Sequence, residues 1–372
     1  MPTPIENITT ELNSTTEKET LQNIANQRSA LIQIADKETA ITAIVDNGNQ
    51  TGKIEVFNNI QGDGELEDKL ASKNVLIDKV AEQIPIISEL DKSADAIRKL
   101  LVNRESRDAS NFPTLSDVGS TQSLMNDIAA RDVSSKLMAR STNAMQTFST
   151  ESIAMQEVAD SQIARDRVSG VSNARAEVVE SSTAMAEFAA NQSCMSDLQS
   201  DATFMGDIAG SNTATKEVAA SNTAMQEFVS SQTAMQKLTS STTAMQNIST
   251  SQTAMENIST SQTAMQEVAS SNTALTEIDK NDFAVRAIMC GTTSQDPTTF
   301  ANANAISQDA AAMQEIAGNQ TTINTLSKLD TAMQEIATSE TAMQEIAPSQ
   351  TAMQEVAASL TAMQEVAVSQ TA

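Results

Sequence analysis

The sequence predicts an all-α protein, a repeat solenoid of short two-turn helices with one helix per ten-residue repeat. A repeat of the form Thr-Ala-Met-Gln-Glu-Val-Ala plus three polar residues recurs along most of the chain. Its apolar residues stand second, third, sixth and seventh, a spacing that places them on one face of a helix. The 372 residues include no Trp or Tyr and only eight Phe, so a thick aromatic core is excluded.

Each repeat contains signals for a helix start and a helix stop. Thr-x-x-Gln fits a capping box with Thr as N-cap, and the three polar residues that follow the apolar face predict a tight turn. Two-turn helices are unstable alone and must stack. With two helices per layer, about 8–10 Å apart, the repeats would form a rod on the order of 150 Å long. A continuous helical fibre, a β-solenoid and disorder are the alternatives. The fibre is disfavoured because ten residues in three turns, about 3.3 per turn, wind faster than a coiled-coil seam.

The register of the repeat divides the chain into seven segments. Diverged N-terminal repeats occupy 1–45 and 73–101, separated by a loop or junction at 46–72. A junction at 102–114 precedes the main array at 115–289, and a junction at 290–311 precedes the C-terminal array at 312–372. The main array is clearest where five methionines lie ten residues apart: Met225, Met235, Met245, Met255 and Met265.

Composition argues against an enzyme and against several classes of partner. The chain has no His, which excludes Ser-His-Asp and Cys-His catalysis and His-based metal sites. The formal charge of −25 and the pI near 4.2 disfavour nucleic acid and anionic membranes as partners. We also expect neither export through a leader nor membrane insertion, because the first residues lack a basic region followed by an apolar stretch and no apolar run of about 18 residues occurs. We expect Cys194, which occupies an Ala position, to be a small buried residue.

Three columns of residues are conceivable sites, but we predict no catalytic, cofactor-binding or metal-binding residue and no cofactor. The Glu column is interpreted as a solvated acidic face, because its single carboxylates lack the convergent oxygens that Ca²⁺ requires. We interpret the Thr column as helix caps in preference to an ice-binding surface. Where Arg or Thr replaces Met, the repeats should pack less well or meet acidic groups of a partner. The residues concerned are Glu335, Glu345, Glu355 and Glu365; Thr223, Thr233, Thr243, Thr253 and Thr263; and Arg165, Arg175 and Thr215.

Over residues 115–372 the pattern Ser-x-Thr-Ala-Met-x-x-Val-Ala resembles the decapeptide-repeat structural proteins of tailed phages, of the tail-fibre or virion-appendage type. The resemblance implies an extended fibre, appendage or decoration component of a virion. Its partners would be other virion proteins or copies of itself, stacked head-to-tail on the open end of the array. Twelve of the 23 Lys and Arg residues lie in the first 110 residues, which makes that part the better docking surface. The alternative is a secreted or cell-surface adhesin or an ice-binding-like repeat module.

Overall fold

The protein is described by a computed structural model at residues 28–47, 50–291, 293–359, 361, 363 and 364. Within these residues the regular structure consists of 31 α-helices and two short 3₁₀ helices, with no strand. The predicted all-α repeat solenoid is therefore confirmed. The chain forms two compact parts, a first half at Met1–Glu187 and a second half at Phe188–Ala372.

Most helices are seven to eleven residues long and follow one another closely. In the first half they are α1 Arg28–Asp36, α2 Glu38–Asn47, α3 Gln50–Ile60, α4 Gly64–Ala71, α5 Asn74–Ala81, α6 Ile84–Leu90, α7 Ala94–Arg104, α8 Leu115–Gly119, α9 Gln122–Ala130, α10 Asp132–Arg140, α11 Thr142–Phe148, α12 Ser152–Asp160, α13 Gln162–Ser169 and α14 Ser172–Glu180. Helix α15 is Ser182–Ala190.

The second half continues the series. Its helices are α16 Gln192–Leu198, α17 Ala202–Gly210, α18 Asn212–Ala220, α19 Asn222–Phe228, α20 Gln232–Ser240, α21 Thr242–Thr250, α22 Gln252–Thr260, α23 Gln262–Ser270, α24 Asn272–Asp279, α25 Asp282–Cys290, α26 Ala303–Ser307, α27 Ala310–Gly318, α28 Gln320–Leu326, α29 Asp330–Thr338, α30 Glu340–Ile346 and α31 Gln350–Ala358. The 3₁₀ helices are Ala109–Asn111 and Pro297–Thr299.

A single extended residue links consecutive helices in the regular array. Ser241 ends α20 and begins α21, with φ −98° and ψ 120°. Its side chain accepts a hydrogen bond from the amide of Ala244, whereas Thr243 already lies inside the helix. The predictions of a Thr cap and of a three-residue polar turn are therefore wrong. Starting at the serine keeps nine of the ten residues helical, so more backbone amides and carbonyls are paired.

The helices stack with a period of three. Within the regular array of each half, a helix packs most extensively on the helix three places later, as α18 does on α21, α19 on α22 and α20 on α23, and less extensively on its immediate neighbours. Three ten-residue repeats therefore complete one coil of the solenoid. The expectation of two helices per layer is therefore wrong. Helices of only nine residues with a one-residue link turn a corner at each serine, and three corners close the coil.

The core is a thin column of small and flexible side chains. With repeats numbered from the linking serine (Ser241 at position 1), the buried positions are 4, 5, 8 and 9, which are the four apolar positions that the sequence predicts. In α21 these are Ala244, Met245 and Ile248, each 0% exposed, and Ser249, 3% exposed. Ala at position 4 lets neighbouring helices approach closely, and Met fills the irregular space that remains.

Residues 46–72 depart from their prediction. Their Gly- and Asn-rich composition predicts a loop or junction, but α3 and α4 occupy most of the segment. Val56, Phe57, Ile60 and Leu66 are fully buried in it. Burial of these apolar residues outweighs the low helix propensity of the neighbouring Gly and Asn residues.

We expect Met245→Asp to destabilise the second half by a few kcal/mol, because it places a charge in a fully buried position. Gln246→Asp, one residue away on the exposed surface, is the control and should cost less than about 1 kcal/mol. Chemical unfolding followed by circular dichroism measures both. Equal effects of the two variants would show that position 5 is not part of the core.

Candidate functional site

The most regular polar feature is a serine hydroxyl that forms hydrogen bonds with two helix ends. At Ser261, Oγ accepts from the amide of Ala264 at 3.3 Å, which caps the start of α23. The same hydroxyl donates to the carbonyl of Val229 at 2.7 Å, where α19 ends. One side chain thus pairs an orphan amide of its own helix and an orphan carbonyl of the preceding coil.

This linking serine recurs through both halves at one sequence separation. Each hydroxyl donates to the carbonyl 32 residues earlier, and each oxygen accepts from the amide three residues later. Pairs of serine and carbonyl residue are Ser161 with Ala129, Ser181 with Ser149, Ser221 with Ala189, Ser231 with Gln199, Ser241 with Ala209, Ser251 with Ala219, Ser271 with Thr239, Ser339 with Ser307 and Ser349 with Ala317.

A second set of contacts joins successive coils on the outside. The side chain at position 2 meets the side chain at position 7 of the repeat three places later, 35 residues along the chain. Gln232 Nε2 donates to Glu267 Oε1 at 2.9 Å, and Asn247 Nδ2 donates to Asn212 Oδ1 at 3.1 Å. These hydrogen bonds between coils, called rungs below, pair the polar side chains with one another on the solenoid surface. They contain no feature that selects a ligand.

The polar residues that replace Met at position 5 are also satisfied within the chain. Arg165 is 6% exposed, and its Nη1 donates to the carbonyl of Ala159 at 2.5 Å. Arg175 Nη1 donates to the carbonyl of Ser169 at 2.6 Å. Thr215 is 0% exposed, donates to its own helix and accepts from Asn247 Nδ2 at 2.7 Å. Nearby residues of the same chain therefore supply the hydrogen-bond partners of these side chains.

The Glu and Thr columns do not form continuous rows along one surface. Glu335, Glu345 and Glu355 belong to α29, α30 and α31, which lie on the three successive sides of a coil. Thr223, Thr233 and Thr243 are distributed over three sides in the same way. Neighbours on one side of the solenoid are thirty residues apart. Among the described residues no cluster of three or more potential metal ligands occurs; Glu365 lies outside the described residues.

Both cysteines are buried. Cys194 is 0% exposed, as expected for an Ala position. Cys290 is 1% exposed, and burial raises the pKa of its thiol to about 12. A thiol with such a pKa carries almost no thiolate at neutral pH, so Cys290 is not placed as a nucleophile.

An open cleft of about 410 Å³ lies beside α24. Its charged lining groups already have partners: Lys328 Nζ donates to the carbonyl of Ala269 at 2.9 Å, and Asp279 Oδ1 accepts from the amide of Thr331 at 2.9 Å. Lys280 pairs with Glu277 at 2.7 Å. These contacts connect parts of the fold, so the cleft offers no convergent group for a ligand.

One carboxylate is buried at the end of α7. The Glu105 side chain is 0% exposed and accepts a hydrogen bond from Ser134, while Arg131 Nε lies 3.0 Å from its second oxygen without hydrogen-bonding geometry. Burial raises the pKa of Glu105, and the hydrogen bond from Ser134 and the charge of Arg131 only partly oppose this shift. The ionised side chain therefore costs folding free energy.

We expect Ser261→Ala to destabilise the second half by about 1–3 kcal/mol, because it leaves the amide of Ala264 and the carbonyl of Val229 unpaired. Ser270→Ala is the matched control, since the exposed Ser270 hydroxyl bonds only to its own helix, at Gln266. Chemical unfolding of both variants tests the link. A loss no larger than that of the control would contradict the double role of the serine.

The pH dependence of stability should change on replacing Glu105. Because the pKa of Glu105 is higher in the folded than in the unfolded protein, the folded protein binds this proton more tightly. The destabilisation by Glu105 is therefore greatest above the folded-state pKa, and it decreases as the pH falls from there to the unfolded-state pKa. Glu105→Gln should be more stable than the parent at neutral pH, and this advantage should shrink on acidification. Glu340→Gln, on an exposed side chain, is the control. An advantage that is absent or independent of pH would contradict the burial cost.

No helix of the described residues is both long and apolar enough to cross a membrane. The linking serines and the polar side chains at positions 2, 5 and 7 bond to other parts of the same chain. No protein-family model and no curated protein sequence matches the chain.

Proposed function

We propose that the chain is a non-enzymatic structural protein whose coils form an extended rod. In this proposal it is a fibre, appendage or decoration component of a tailed-phage virion, and its coils can stack head-to-tail on copies of itself. The observation that carries the structural role is the linking serine, which caps its own helix and, through the same hydroxyl, bonds to the preceding coil repeatedly along the regular array.

Growth by addition of repeats supports a rod. Residues 221–270 use one set of contacts in every repeat: Ser at position 1, Ala and Met at positions 4 and 5, and an aliphatic or aromatic residue at position 8. Stability in such a stack is close to a sum of repeat and nearest-neighbour terms. Length can therefore change without a redesigned core, which is useful in a shaft and irrelevant to a catalytic pocket.

The surface chemistry supports the same role. The second half has 19 Asp and Glu against five Lys and Arg, so separate rods repel one another except where specific contacts form. Its described side-chain rungs between coils are largely amide–carboxylate or amide–amide, as in Gln232–Glu267 and Asn222–Asn257. The assignment to a virion rests on the resemblance of residues 115–372 to phage decapeptide-repeat proteins.

The virion assignment is tested on purified phage particles from the source of the chain. Immunogold labelling and mass spectrometry should find the protein on particles, and cryo-electron microscopy should show it projecting from the capsid or tail. A protein that is missing from particles but present on the cell surface or in the medium would replace this proposal with an adhesin.

The rod is tested by a length series. We expect one, two or three inserted copies of residues 231–260 to lengthen the purified protein by about 10 Å per copy, since thirty residues form one coil and packed helices are about 8–10 Å apart. Cryo-electron microscopy measures this length. An insertion of 231–245, which interrupts the ten-residue period, is the control and should lower the melting temperature. Inserts of thirty residues that leave the length unchanged would contradict the rod.

A further inference from the structure

A longer repeat lies above the ten-residue one. At an offset of 188 residues the two segments 91–112 and 279–300 share seven identical residues, although neither follows the decapeptide pattern throughout. The identical pairs are Asp91 and Asp279, Lys92 and Lys280, Ala96 and Ala284, Arg98 and Arg286, Ser106 and Ser294, Asp108 and Asp296, and Phe112 and Phe300.

The same offset relates the contacts within the two halves. Arg98 Nη1 donates to the carbonyls of Ala109 and Phe112, at 2.5 and 2.7 Å. Arg286 Nη1 donates to the carbonyls of Pro297 and Phe300, at 2.6 and 2.7 Å. Each arginine thus clamps a loop that contains a 3₁₀ helix, and the two 3₁₀ helices also differ by 188 residues. Each half therefore contains one copy of the same specialised joint.

The stacking period changes at this joint. Helix α5 packs on α10, and α23 packs on α28, so the partner is five places later and no longer three. The clamped loop and two additional helices occupy the intervening chain. The additional helices are α8 and α9 in the first half and α26 and α27 in the second. The corner geometry that the linking serine serves elsewhere is lost here.

Across the joint a cation pairs the carbonyl that the linking serine pairs elsewhere. Arg140 donates to the carbonyl of Ala81, and Lys328 Nζ donates to that of Ala269 at 2.9 Å, 59 residues away in both cases. At the start of α11, Asp91 accepts from the amide of Thr142 at 2.8 Å and from the hydroxyl of Ser141. Ser141 keeps its cap on α11 by accepting from the amide of Ala144 at 3.0 Å, but it donates to Asp91 and not to a carbonyl of the preceding coil.

The second half shows the replacement most clearly. Leu329 stands where the regular array has its serine, and it provides no side-chain cap to α29. Asp279 Oδ1 accepts from the amide of Thr331 at 2.9 Å instead. The cation thus pairs a helix C-terminus and the aspartate pairs a helix N-terminus, each with the charge that the helix dipole favours.

We propose that residues 91–143 and 279–331 are two copies of a splice in which a cation pairs the carbonyl that the linking serine pairs elsewhere and an aspartate binds the start of the following helix, beside the Ser141 cap in the first copy and in place of a serine cap in the second. We further propose that salt loosens this splice more than it loosens the serine-linked array. Interactions of charges with helix ends are screened by salt, whereas the serine link is uncharged. Salt also screens repulsion among acidic coils, so the regular array is not weakened by the same treatment. The splice is thus a joint whose local stability depends on salt concentration. This inference holds whether or not the protein belongs to a virion.

Hydrogen–deuterium exchange with mass spectrometry tests the splice on the full chain. Raising NaCl from about 20 mM to about 1 M should speed exchange in peptides from 326–334 by about fivefold relative to peptides from 242–251. Lys328→Met should abolish most of this extra salt response, because it removes the charge but keeps the length of the side chain. Lys237→Met, on an exposed lysine of α20, should retain it.

An equal salt response in the two sets of peptides would overturn the proposal. So would a Lys328→Met protein that keeps the parental response. The salt titration of the unmodified protein decides the question even where a variant fails to fold.

Discussion

The double hydrogen bond of the linking serine is the constraint on which the rest of the solenoid depends. Its oxygen must face the amide three residues later while its proton faces a carbonyl 32 residues earlier, as at Ser261. Both conditions hold only when the preceding coil places a helix end at the same corner, so the link fixes three helices per coil. Asn281 and Asn319 cap their helices through a side-chain oxygen in the same way. A carboxylate could supply the acceptor but has no proton for the carbonyl.

The thin core follows from this link. Helices joined through one residue lie close together, which leaves room for Ala at position 4 and for flexible Met at position 5 but for few aromatic rings. Phe188, Phe204 and Phe228 are fully buried, each in place of a smaller residue. Each helix is too short to be stable alone, so it persists because both neighbouring coils cover it. Cohesion is therefore spread evenly along the array and does not reside in one centre.

The sequence predicts the helices and their buried face because the spacing of Ala244, Met245 and Ile248 is a local property of each repeat. It does not predict how many repeats close a coil, because near-identical repeats look the same from every side. A signal is nevertheless present 35 residues apart, where Asn212 pairs with Asn247 and Gln232 with Glu267. The prediction of a Thr cap is wrong because the Thr-x-x-Gln motif also fits a capping box. A helix that began at this Thr would leave more of each repeat outside the helix than one that begins at the serine.

The residues that distinguish one coil from another are concentrated away from the uniform array, and this bears on where specific recognition can reside. A surface made of equal coils offers the same contacts at every level, so it can define length and spacing but not a unique docking position. The first half differs, because its coils are joined outside by ion pairs such as Lys69–Asp36 and Lys79–Asp46. Buried or half-buried charges also gather at its splice, around Arg98 and Glu105. In a solenoid built this way, the regular coils are interchangeable, and the departures from the repeat distinguish one position along the chain from another.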